Sequence, residues 1–134
     1  MKKKILVVDD ECNFRNVMAH ILKGEGYKVS LAEDGIAALK ALETEIFDVL
    51  ITDIRMPNMD GIELFNNVKK LYPQMPVIFL TGSAYPKAIE NNLNEGALYY
   101  FEKPVDLDLL KLTIKHILKT KDLEAEFKDL VKEC

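Results

Sequence analysis

The chain has 134 residues, of which 49% are hydrophobic and 30% charged, and its formal net charge is −4. This length and composition predict one globular domain with a single core rather than a disordered or membrane-embedded chain. The acidic balance argues against direct binding of a nucleic acid backbone, which depends on clustered Lys and Arg. The two cysteines, Cys12 and Cys134, provide neither a disulfide framework nor a metal-ligand spacing.

The N-terminal sequence MKKKILVVDDE places four apolar residues between a basic cluster and three acids. This apolar run is too short for a signal peptide, and no other run is long enough to span a bilayer. We therefore expect a cytoplasmic protein that does not bind membranes.

Five short apolar runs alternate with segments of helical periodicity along the chain. Most of the runs are continuous, which is typical of strands that are covered on both faces. Five strand–helix units in succession predict an α/β fold with a doubly wound parallel sheet, helices on both faces and the flavodoxin-like strand order 2-1-3-4-5. The predicted strands are residues 5–8, 28–32, 48–52, 76–81 and 97–101.

The helices are indicated by apolar residues at helical spacing and by signals at their ends. GEG at 24–26 is a typical helix end, and DGIE at 60–63 is a typical helix start with an acidic N-cap. The two clearest apolar stripes are Phe14, Val17, Met18, Ile21 and Leu22, and Leu64, Phe65, Val68, Leu71 and Tyr72.

Acidic residues stand at the carboxyl ends of two predicted strands. Asp9 and Asp10 follow the first strand and Asp53 follows the third. These strands are neighbours in the predicted order, and ligands bind in the crevice at their carboxyl ends. Because clustered carboxylates repel one another, we expect a divalent cation. Mg²⁺ is the natural choice, since it takes one or two carboxylates and completes its shell with water and phosphate oxygens; Mn²⁺ is an alternative.

Two further polar residues end strands at the same edge of the sheet. Thr81 ends the fourth strand and Lys103 follows the fifth. A hydroxyl group, an ammonium group and a cation around the Asp53 carboxylate are the groups that stabilise a phosphoryl group in transfer. Asp53 would be the nucleophile and would form an acyl phosphate.

Four motifs at these strand ends resemble the receiver domain of two-component response regulators, including the single-domain receivers of the chemotaxis type. They are the acid pair after the first strand, the Asp in DIRMPNMDG, the TG after the fourth strand and the KP after the fifth. The resemblance covers residues 3–120, and we assign 1–120 to the receiver domain and 121–134 to a helical extension or linker.

The resemblance implies a role for each of these site residues. Asp53 accepts a phosphoryl group from a phosphohistidine on a sensor histidine kinase or phosphotransfer protein. Asp10, Asp53 and the backbone carbonyl of Arg55 ligate Mg²⁺, while Asp9 acts mainly through a bound water. The activity is limited to self-catalysed transfer and autodephosphorylation, without turnover of a free substrate. The bond between Lys103 and Pro104 is expected to be cis.

The segment 83–97 is predicted to form the least stable helix of the domain, because Asn91, Asn92 and Asn94 are poor helix formers. Low local stability suits an element that moves. The resemblance implies that the phosphoryl group draws Thr81 inward and that the aromatic side chain of Tyr100 follows. The face made by this helix, the fifth strand and the last helix then changes.

Two positions near the expected phosphoryl group look individual to this protein, and the resemblance implies that they tune autodephosphorylation. They are Arg55, two residues after Asp53, and Ser83, two residues after Thr81. We expect Arg55 to affect the lifetime of the phosphoryl group without being required for phosphorylation.

The segment after Pro104 is longer than a last crossover helix requires, and its apolar residues form two stripes that are out of phase. Either the helix is interrupted at 119–122, or it continues and presents the second stripe to solvent, a dimer partner, the flank of the domain or a downstream domain. The stripes are Leu110, Ile114, Ile117 and Leu118, and Leu123, Phe127, Leu130 and Val131. The chain is then either a stand-alone receiver or the phosphoacceptor module of a longer transcriptional regulator.

Two other classes of protein share parts of this pattern. Aspartate-nucleophile phosphatases of the haloacid dehalogenase kind place an Asp-any-Asp motif after the first strand, whereas Asp9 and Asp10 are adjacent. Flavodoxin-like electron carriers need a Ser/Thr-rich phosphate loop at this position, where acids would repel the cofactor. Both classes are disfavoured.

Overall fold

The computed structural model describes residues 2–82 and 98–132, with the side chains of Leu98 and Lys132 excepted. The chain divides into two compact units, residues 1–104 and 105–134, which we describe separately. The helix predicted over 83–97 and the side chain of Ser83 lie outside the described residues.

The first unit is built on a five-stranded parallel sheet with the order β2-β1-β3-β4-β5, as predicted. Its strands are β1 (Lys4–Val8), β2 (Lys28–Ala32), β3 (Val49–Thr52), β4 (Val77–Thr81) and β5 (Leu98–Glu102). Its described helices are α1 (Cys12–Gly24), α2 (Gly35–Thr44) and α3 (Gly61–Leu71).

The register of the strands brings their carboxyl ends to one level. Val8 of β1 is paired with Thr52 of β3, and the amide of Asp53 donates to the carbonyl of Val8 at 3.0 Å. At the other side of the sheet, the amide of Lys103 donates to the carbonyl of Thr81 at 2.8 Å. The residues that follow β1, β3 and β5 therefore start from the same edge of the sheet.

The central strands β1, β3 and β4 are buried almost throughout, as continuous apolar runs predict. The edge strand β2 differs, because Lys28 and Leu31 are exposed. β2 is therefore only partly covered, and the prediction that strands are covered on both faces is wrong for this strand.

The predicted end of α1 and the predicted start of α3 are confirmed. α1 ends at Gly24, and Gly26 has a positive φ of 92° that favours glycine. The Asp60 side chain caps α3 and accepts from the amide of Glu63 at 2.8 Å. Two members of the predicted apolar stripes, Val17 and Leu71, are exposed. Val17 lies about 100° around the helix from the buried Met18, and Leu71 is the terminal residue of α3.

The second unit contains one continuous helix, α4 (Leu107–Lys132). The helix is therefore not interrupted at 119–122, and the domain boundary predicted at residue 120 falls inside it and stays a prediction. The first apolar stripe of α4 is buried, whereas the second is exposed; the exposed residues are Leu123, Phe127, Leu130 and Val131. Among the described residues, no helix combines the length and the apolar character that a membrane span requires.

Candidate functional site

Three acids converge at the carboxyl edge of the sheet, as the strand order predicts. Asp9, Asp10 and Asp53 each offer a carboxylate oxygen, and these oxygens lie within 4.8 Å of one another. Asp9 is 1% exposed, Asp53 is half-buried, and Asp10 is exposed. The cluster is therefore buried at Asp9 and open to solvent at Asp10.

Lys103 bridges the two more buried acids. Its Nζ donates to Asp9 Oδ2 at 2.9 Å and to Asp53 Oδ2 at 3.3 Å. The second oxygen of each carboxylate accepts a backbone amide, that of Glu11 for Asp9 at 2.8 Å and that of Ile54 for Asp53 at 2.7 Å. Both carboxylates are therefore held in fixed orientations by one shared cation and one local amide each.

The electrostatics of the cluster follow from burial and from the imbalance of charge. Burial raises the pKa of Asp53, and the charge of Asp9 adds to this effect, while Lys103 and the amide of Ile54 oppose it. Burial also disfavours the charge of Lys103, but its hydrogen bond to Asp9 and the charges of Asp53 and Asp9 outweigh it and raise the pKa of the ammonium group.

This set of side chains fits a hard divalent cation. When all are ionised, three carboxylates face one ammonium group, so the cluster lacks positive charge. Clustered carboxylate oxygens are ligands that Mg²⁺ prefers, and the exposed Asp10 leaves room for the waters that this ion retains. The described residues are therefore compatible with a magnesium site.

The other residues predicted for the site occupy the neighbouring strands and loop. Thr81 is 1% exposed at the end of β4. Tyr100 in β5 is half-buried, is paired in register with Phe79 and packs against the apolar core. Arg55 is exposed, and the peptide bond between Lys103 and Pro104 is cis.

Two contacts at the site were not predicted from the sequence. The Lys103 ammonium lies over the ring of Phe14, 4.0 Å from its centroid, although periodicity placed Phe14 in the core stripe of α1. Arg15 Nη1 donates to the backbone carbonyl of Asp9 at 2.6 Å. The position of these two residues in the sequence could have predicted both contacts. α1 begins three residues after Asp9, so its first turn lies beside the acids.

The loop between β3 and α3 is tied to the start of α2. Asn58, which has a φ of 68°, donates through Nδ2 to Asp34 Oδ2 at 2.8 Å, and the amide of Gly35 donates to the carbonyl of Met59 at 3.2 Å. Asp34 also caps α2 through the amide of Ala37. These bonds hold the loop that carries Arg55.

Gly61 closes the same loop against the backbone of Asp53. Its amide donates to the carbonyl of Ile54 at 2.7 Å. A Cβ at this position would overlap the carbonyl oxygen of Asp53 and would lie 2.9 Å from Ile54 Cα. Since both neighbours are backbone atoms, only glycine fits without displacing the residue at the centre of the site.

We expect Gly61→Ala to lower the free energy of unfolding by about 3 kcal/mol, because backbone must shift to accept the methyl group. The measurement is urea unfolding followed by far-UV circular dichroism. Gly24→Ala is the matched control, since a Cβ there meets nothing within 4 Å and the position is helical. Equal losses in the two variants would contradict the packing argument.

Residues 5–115 match the family model of the response regulator receiver domain, and the chain therefore belongs to this family of two-component signalling modules. Among curated proteins it is similar to the transcriptional regulatory protein ZraR of Klebsiella oxytoca, with 40% identity over 114 residues that cover 85% of this chain and 26% of that protein. It is also 37% identical to the DNA-binding transcriptional regulator NtrC of Escherichia coli, over 84% of this chain and 25% of that protein. The chain thus spans about a quarter of the length of these relatives.

Solved structures show the same fold. A CheY-like receiver domain protein of Methanospirillum hungatei is 36% identical with a TM-score of 0.86, and the match covers 92% of this chain and 99% of that one. NtrX of Brucella abortus is 33% identical with the same TM-score, over 97% of this chain and 30% of that protein. The family predicted from the strand-end motifs is confirmed. Receiver domains take signals from histidine kinases and are in general non-enzymatic modules.

Proposed function

We propose that Asp53 accepts a phosphoryl group from a phosphohistidine on a sensor histidine kinase or phosphotransfer protein. The observation that carries this proposal is the Asp53 carboxylate itself. It is half-buried, it lies in a cluster with two other acids, and its Oδ2 is 3.3 Å from the Lys103 ammonium. A carboxylate in this position is a nucleophile with a cation beside it.

In the proposed transfer an oxygen of Asp53 forms a bond to phosphorus while the bond between phosphorus and the donor imidazole breaks. The amide of Ile54 orients the carboxylate, and Lys103 neutralises negative charge on the phosphoryl oxygens. Mg²⁺, held by Asp10, Asp53 and the carbonyl of Arg55 with Asp9 acting through a water, would supply further neutralisation of those oxygens. Hydrolysis of the acyl phosphate returns Asp53 to its starting state.

The readout of the phosphoryl group would pass through Thr81 and Tyr100. Thr81 ends β4 at the edge that carries Asp53, and Tyr100 lies in the adjacent strand against the core. Movement of the Thr81 hydroxyl towards a phosphoryl oxygen would change the space next to β5, and Tyr100 would follow. The predicted helix that completes this face falls on 83–97, outside the described residues.

Incubation with Mg²⁺ and a small acyl phosphate, followed by intact mass measurement, tests the proposal. We expect one added phosphoryl group, and we expect a chelator of divalent ions to prevent its addition. Reduction of the acyl phosphate with borohydride and peptide mapping should place the group on Asp53. No mass increase, or a group on another residue, would overturn the proposal.

Arg55 is proposed to tune the lifetime of the phosphoryl group. Its side chain is exposed, and Arg55 follows the proposed phosphoacceptor Asp53 by two residues. Decay of the phosphorylated protein should differ between the wild type and Arg55→Ala, while the final extent of phosphorylation stays the same. Equal decay rates would remove this role. Ser83, proposed for the same role, lies outside the described residues.

A homodimer is a second proposal. It would form through the exposed stripe of α4 or through the predicted face made by the helix at 83–97, the fifth strand and the last helix. Leu123 and Phe127 are 54% and 67% exposed, and large apolar side chains at this spacing on one helix are typical of a surface that pairs. The relatives ZraR and NtrC are transcriptional regulators more than three times as long, so the alternative is a linker to an output domain.

Sedimentation before and after phosphorylation distinguishes these possibilities. A dimer that is formed through α4 should be lost in Phe127→Glu and retained in the control Lys128→Glu, which alters charge on the same turn. A monomer in every state would favour the linker. Loss of the dimer in both variants would indicate a charge effect rather than the apolar stripe.

A further inference from the structure

The Lys103 ammonium has a third neighbour besides its two carboxylates. Its Nζ lies 4.0 Å from the centroid of the Phe14 ring, on the side where α1 begins. A cation within about 6 Å of an aromatic centroid is attracted to the negative face of the ring. Phe14 is half-buried, so the ring also excludes water from this side of Lys103.

We infer that Phe14 is a positioning residue, whose ring holds the Lys103 ammonium between Asp9 and Asp53. Lys103 reaches the acids on a flexible four-carbon stem, and its compact ammonium group is also strongly hydrated in solvent. The ring face and the two carboxylates restrict the ammonium to one place. The inference rests on the proposed function, since its consequence is that Lys103 is in place when the phosphoryl group arrives.

Phe14→Leu keeps an apolar side chain and removes the aromatic face. We expect phosphorylation by a small acyl phosphate with Mg²⁺ to slow by about two- to thirtyfold, the range that corresponds to a cation–π contact. Phe14→Tyr and Phe14→Trp keep the face and should stay near the wild-type rate. Val17→Ala, on the exposed side of α1, is the matched control and should also stay near the wild-type rate.

A double-variant comparison separates positioning from a general packing effect. If Phe14 acts through Lys103, then Phe14→Leu should cause no further slowing in a Lys103→Met background. A packing defect would instead slow both backgrounds by the same factor, and that result would overturn the inference. A wild-type rate for Phe14→Leu alone would also overturn it.

A spectroscopic readout keeps the contact testable apart from phosphorylation. The ring current of Phe14 should shift the Lys103 Hε resonances upfield, and Phe14→Leu should remove this shift while Phe14→Tyr retains it. Absence of the shift in the wild type would contradict the inference. If the shift is present but the wild type takes no phosphoryl group, the proposed function fails while the placement of the Lys103 ammonium by Phe14 stands.

Discussion

Asp53→Asn is expected to abolish phosphorylation completely and to make the metal-free fold more stable at neutral pH. The first effect follows because an amide oxygen does not form an acyl phosphate. The second follows because burial raises the pKa of Asp53, so the ionised carboxylate is less favourable in the folded protein than in the unfolded chain. Asparagine removes this unfavourable charge.

The pH dependence gives the sign of the second effect. An acid with a raised pKa in the fold binds its proton more tightly there than in the unfolded chain, so the wild type loses stability as the pH rises from about 4 through the folded pKa. Asp53→Asn should lack this loss. The difference in free energy of unfolding between the two proteins should therefore be largest above the folded pKa and should vanish at lower pH.

Urea unfolding at several pH values, with a chelator present, measures this difference. Asp108→Asn is the control. It removes an exposed acid from the first turn of α4, where an acid is favourable, and should lower stability by about 1 kcal/mol or less rather than raise it. Mg²⁺ should reduce the difference in free energy of unfolding between Asp53→Asn and the wild type, because the ion stabilises the wild-type cluster. A wild type that is more stable than Asp53→Asn at neutral pH without metal would contradict the electrostatic argument.

Lys103→Met is expected to slow phosphorylation by about 10²- to 10³-fold, the usual effect of removing one group that stabilises developing charge. It should also lower the free energy of unfolding of the metal-free protein by about 2–3 kcal/mol. Asp9 is 1% exposed and would lose its cation, and removing one partner of a buried pair costs about 3–5 kcal/mol. The estimate is lower here because the Lys103 side chain is 20% exposed.

Magnesium provides the decisive measurement for this variant. Because Lys103 and a divalent ion neutralise the same acids, Mg²⁺ should stabilise Lys103→Met more than it stabilises the wild type. Lys119→Met, which removes an exposed cation of α4, should behave like the wild type. If Mg²⁺ stabilises the wild type and Lys103→Met equally, Lys103 and the ion do not share the acids.

The sequence by itself determined the architecture and the place of the site. Continuous apolar runs predicted all five strands to within about one residue of their observed bounds, and the succession of strand–helix units predicted the order of the sheet. Because the carboxyl ends of parallel strands meet at one edge, the positions of Asp9, Asp10 and Asp53 at strand ends were enough to predict that they converge.

The tertiary structure alone decided how the side chains pair within that site. Lys103 bridges Asp9 and Asp53 across 94 and 50 residues of chain, and Phe14 lies beneath its ammonium rather than in the core. The close approach of Gly61 to Asp53 and the exposure of β2 were likewise decided by packing. Periodicity reports which face of an element is apolar, but a contact depends on distances between elements, and those are set only when the whole chain has folded.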